Sequence, residues 1–152
     1  MKHAGGVRLL VIIACIALLL LVGLALFGGP SATSTATEFM RALQAGDVDK
    51  LTELSLVAPG DENKIRKQWE FCIHTATPYY NFLWQVQFAK QITDNEWVVS
   101  LKIIKNPQNP SSYDEPFEMT LDRVGRGWKV DVYRLSSKFY PALPRPGRDI
   151  ER

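Results

Sequence analysis

Trp97-Val98-Val99-Ser100-Leu101-Lys102-Ile103-Ile104 decides the fold. Trp97, Val99, Leu101 and Ile103 fall on every second position, the period of a β-strand with one buried face. The same pattern repeats outward on both sides. Upstream, the polar turn Thr93-Asp94-Asn95-Glu96 follows Trp84, Val86 and Phe88, which alternate with Gln85, Gln87 and Ala89. Downstream, Asn106–Ser112 holds Pro107 and Pro110 and reads as a loop, after which Phe117, Met119 and Leu121 form a third apolar face. Gly125-Arg126-Gly127 then turns the chain into a fourth face, Trp128, Val130 and Val132. One apolar face per strand predicts an antiparallel sheet covered on one side.

The cover comes from the preceding segment, where the period is helical. Thr35-x-x-Glu38 reads as a capping box ahead of Phe39, Met40 and Leu43, and Gly46 as the terminating glycine. Asp47 caps a second helix with Val48, Leu51 and Leu54 inside, and Pro59-Gly60 breaks it. Asp61 caps a third, with Ile65, Trp69, Cys72, Ile73 and Ala76 on one side, which should stop ahead of Pro78. The expected fold is α+β: an N-terminal transmembrane helix, then three helices packed on a curved antiparallel sheet of about four strands.

The anchor is expected over 9–27. Leu9 to Phe27, including Ile16 and Leu20, is an apolar run of 19 residues with no charged, amide or hydroxyl side chain. As a helix it spans about 28 Å, close to the roughly 30 Å hydrocarbon core of a bilayer. Lys2, His3 and Arg8 precede it, so residues 1–8 are expected in the cytoplasm and the rest outside the cell membrane, a single-pass arrangement. A cleaved signal peptide is the rival reading, with Ser34-Thr35-Ala36 as its small-x-small site, but the run is longer than the roughly 7–15 residues usual for such a segment.

A linker over 28–33, a domain over 34–133 and a basic, Pro-rich tail over 134–152 complete the division. Residues 31–152 carry 16 basic and 16 acidic side chains, so the domain is neutral and nothing asks for nucleic acid. Cys72 is the only cysteine there, which excludes an internal disulfide.

Phe39-Met40-Arg41-Ala42-Leu43-Gln44-Ala45-Gly46-Asp47, followed by Leu51 and Leu54, and Gly127-Trp128-Lys129-Val130-Asp131 near the end, resemble the opening helix and last strand of the nuclear transport factor 2-like superfamily. The resemblance implies a cone-shaped α+β domain. It leaves function open, since that fold hosts enzymes, ligand binders and assembly subunits.

Enzymes of that superfamily place ionisable side chains inside the cone. Here the inward sets of all four strands contain none, so the expectation is a protein that is not an enzyme, with no catalytic residues. No metal-ligand spacing, phosphate-binding loop or cofactor motif is present in the sequence, and no metal or cofactor is expected. The leading expectation is a membrane-anchored scaffold or accessory subunit of an envelope or membrane complex. It would dock other proteins through its outer domain and through tail residues Arg134, Lys138, Arg145 and Arg148, and the sheet also offers a surface for a homodimer. The alternative is an extracytoplasmic small-molecule binder whose cavity would be lined by Trp69, Trp84 and Trp97, with His74, Tyr79 and Tyr80 at the rim.

Overall fold

The computed structural model describes residues 31–105 and 114–147. The anchor residues Leu9, Ile16, Leu20 and Phe27 lie outside them, as do the Pro107–Pro110 loop and Arg148. Among the described residues no helix is long and apolar enough to cross a membrane.

Three α-helices come first: α1 (Ala32–Ala45), α2 (Val48–Leu54) and α3 (Glu62–Glu70), the last running on into a π-helical turn, Phe71–Ala76. Four strands follow as a meander: β1 (Phe82–Thr93), β2 (Glu96–Lys105), β3 (Asp114–Val124) and β4 (Gly127–Val130), each antiparallel to the next.

The helix ends follow their capping chemistry. Asp47 accepts the Lys50 amide at 3.0 Å, and Gly46 turns left-handed to close α1, as the sequence predicts. The start of α1 differs. Ser31, not Thr35, is the cap, accepting the Ser34 amide at 3.1 Å, so the helix begins a turn earlier than the capping-box reading placed it. Thr35 and Ala36 are buried instead, and the Ser34-Thr35-Ala36 site lies within the helix. Asp61 stands at the N-cap of α3 without a side-chain cap bond. Ala76 also differs from expectation: the π-helical turn carries it outward, and it is exposed.

The core is the layer between helices and sheet. Phe39, Met40, Leu51, Ile65 and Trp69 meet Val99, Leu101, Ile103, Met119, Leu121 and Val130 there, all buried. Phe88 is a correction. Val86 pairs with Leu101 and Phe88 with Ser100, so Gln87 is an extra residue in β1. That bulge reverses the alternation, and Phe88 faces outward, 60% exposed.

The segment read as a tail is part of the domain. Leu135, Phe139, Tyr140 and Leu143 are buried in the same core. Gln68, itself buried, clamps the backbone of Arg145 at both ends: its amide nitrogen donates to the Arg145 carbonyl and its oxygen accepts the Arg145 amide, each at 3.1 Å. The Cys72 thiol donates to the Pro141 carbonyl at 3.3 Å. Residues 135–147 thus form a strap across α3.

Candidate functional site

The expected aromatic cavity does not assemble. Trp69 is fully buried, edge-on to Phe39 at 5.8 Å between ring centres. Its indole nitrogen donates to the Ser55 hydroxyl at 3.0 Å, and that hydroxyl donates onward to the Leu51 carbonyl at 2.6 Å. Every polar atom there is satisfied, which marks Trp69 as a core residue. Trp84 pairs across the sheet with Ile103, while Trp97 pairs with Gln91 near the other end of β1. Trp97 instead meets Trp128, edge to face at 6.4 Å. Tyr79 is 96% exposed and lines nothing.

His74 and Tyr80 do come together, in a polar cleft of about 280 Å³. Three elements build it: the end of α1 (Gln44, Gly46), the π-helical turn (Ile73, His74) and the entry to β1 (Thr77, Pro78, Tyr80), with Tyr140 of the strap behind. Several of the groups lining it are hydrogen-bonded within the domain. Gln44 donates to the Phe82 carbonyl at 3.1 Å and accepts the Trp84 indole at 3.3 Å. Thr77 spends its proton on the Cys72 carbonyl at 2.7 Å, so the Tyr140 hydroxyl, 2.9 Å away, is the donor to Thr77. Burial, then the neighbouring Tyr140, raises the Tyr80 phenol above its ordinary value. Burial likewise raises Tyr140, against the Thr77 bond, so both phenols stay protonated at neutral pH. Among the described residues, no carboxylate lines the cleft beside His74.

Among the described residues, the buried polar side chains besides the Tyr140 phenol and the Cys72 thiol are Thr35, Ser55, Gln68, Thr77, Ser100 and Thr120. No cluster of three or more metal-ligating side chains occurs among the described residues either.

With this geometry the chain can be set beside solved structures. Its fold is similar to that of a "putative calcium/calmodulin-dependent protein kinase type II association domain" from Thiobacillus denitrificans. The two share 10% identity with a TM-score of 0.52, over 66% of this chain and 90% of that one. Other similar structures are a nuclear transport factor 2-like protein of unknown function from Shewanella oneidensis (9% identity, TM-score 0.44, 64% and 89% covered) and a "putative scytalone dehydratase" from Novosphingobium aromaticivorans (14% identity, TM-score 0.46, 76% and 91% covered). No family model matches the sequence, and no curated protein matches it. These likenesses concern the fold alone.

The cations expected to bind partners are placed variously. Arg134 pairs with Glu96 at 3.0 Å. Arg145 is half-buried and donates to the Val132 and Tyr133 carbonyls, each at 3.4 Å. Lys138 is exposed, beside an open groove along Glu115–Glu118 of β3.

On the open face of the sheet, which the sequence already offers as a contact surface, the structure adds Phe88. Leu83, 49% exposed, stands opposite Ile104, and Phe88 opposite Ser100; Lys90 and Val98 continue the face. Val98 and Ile104 were legible as outward aliphatics. Phe88 was not, because nothing in the sequence marks Gln87 as a bulge.

Proposed function

We propose that this chain is a membrane-anchored, non-catalytic docking subunit whose open sheet face receives a protein partner. The observation that carries the reading is the contrast between the two faces. The inner one is filled by Trp69 and Phe39 and closed by the strap, whereas the outer one keeps Leu83 and Phe88 bare. An exposed Phe beside aliphatic neighbours is the composition of an interface centre, with Lys90 and Lys102 as its polar rim. Leu9–Phe27, ending four residues ahead of the cap at Ser31, supplies the anchor. Of the residues the small-molecule alternative names, only His74 and Tyr80 share a cleft, which at about 280 Å³ lies below the roughly 300–1,000 Å³ usual for ligand pockets and in which Gln44 and Thr77 are already hydrogen-bonded within the domain.

The test is a photo-crosslinking side chain at position 88 in the full chain in its native membrane, with position 79, which is still more accessible, as the control. A discrete adduct from 88 and none from 79 is expected. Adducts of the same mass from both positions, or none from either, would remove the docking reading.

A further inference from the structure

We infer that the end of the domain carrying both hairpin turns is a foot that rests in the headgroup layer of the bilayer; this builds on the anchored reading above. The direction of α1 locates that end. Its last turn is tied to the start of β1 through Gln44 and the Phe82 carbonyl. It also packs against β4, a strand that pairs only with Leu121–Val124, beside the turns. The helix therefore crosses the sheet, and Ser31 at its beginning stands toward the turn end. The two turns are neighbours, since the Arg123 amide donates to the Asn95 carbonyl at 2.9 Å.

The chemistry at this end is unusual for hairpin tips, which are ordinarily polar. Ile92 and Val124 are 49% and 48% exposed. A register shift between Gln91 and Thr93 leaves Ile92 outside the ladder. Arg123 and Arg126 are exposed between the two turns. Behind them stand the half-buried Trp97 and Trp128, with the Arg123 guanidinium 5.9 Å from the centre of the Trp128 ring. Aliphatic tips, indoles just behind them and exposed guanidinium groups form the composition of an interfacial membrane contact. Asp94 opposes this charge, while Glu96 is neutralised by Arg134 at 3.0 Å.

Chain length selects a lipid surface over a soluble partner. Four residue steps separate Phe27 from Ser31, and a fully extended chain covers about 14 Å in that distance. With Leu9–Phe27 in the hydrocarbon, Ser31 cannot leave the headgroup region by more than that reach. The turn end toward which it stands is then the part of the domain that lipid meets first.

The experiment places one fluorophore on Val124→Cys or on Leu83→Cys, which is equally exposed at the other end of β1. The full chain, carrying Cys15→Ala and with Cys72 buried, is reconstituted in vesicles of phosphatidylcholine and phosphatidylglycerol that contain headgroup-level spin-labelled lipid. Quenching at Val124 at least about twofold stronger than at Leu83, reduced by Arg126→Glu, is expected for an interfacial contact. Equal quenching at both positions, or none at Val124, in chain that floats with the vesicles overturns the foot and leaves the anchor standing. Chain that fails to float overturns the anchor and the foot with it.

Discussion

Gly46 shows how one residue can join two elements. Its φ of 70° lies where a side chain strains the backbone, and a Cβ added there would sit 3.0 Å from Cγ2 of Ile73. Gly46→Ala should therefore lower stability by about 1–2 kcal/mol, read as a drop in the urea midpoint without a change in slope. Asp122 offers a gain instead. Burial, then the Asp131 and Glu96 carboxylates, raises its pKa, with Arg134 opposing. A carboxyl that holds its proton more tightly when folded costs stability once pH climbs through its folded pKa, and that cost vanishes below the ordinary aspartate value. Asp122→Asn should raise Tm by roughly 1–3 °C at pH 7, and the gain should shrink as the solution is acidified toward that value. A gain that persists unchanged at pH 3 would contradict this account.

At the scale of elements, the strap and the bulge are where sequence and structure part. The spacing of Leu135, Phe139, Tyr140 and Leu143 held the signal for a buried segment, but three prolines, two arginines and a lysine over 134–146 dominate its composition and read as a solvated end. What ties it down is non-local: Gln68, buried on α3, bonds a backbone 77 residues away. Gln68→Ala would leave the buried-side amide and carbonyl of Arg145 without those partners. A loss of about 2–4 kcal/mol is expected, with faster tryptic cleavage after Lys138, within the strap, in otherwise folded protein. An unchanged digestion pattern would show that Phe139 and Leu143 hold the strap unaided. The strands, by contrast, were legible throughout β2 and β3, because unbroken alternation leaves one register that buries Val99, Leu101 and Ile103 together. In β1 the alternation holds only to Val86, since an inserted residue has no mark in composition.

For the whole molecule, the apolar periods gave the class of fold, three helices over a four-stranded meander. The candidate site was legible in part. His74 and Tyr80 adjoin, whereas the tryptophans were assigned to one inner surface on parity alone, and parity does not reveal how far apart residues stand along a strand. Trp69 ended in the core, Trp84 beside Gln44 and Trp97 beside Trp128. The strap also imposes an order in time. A chain made from its N-terminus delivers helices and strands first and Phe139, Tyr140 and Leu143 last, so α3 waits with one flank open until they arrive. During synthesis, that waiting surface is what a chaperone would find until the strap closes over it.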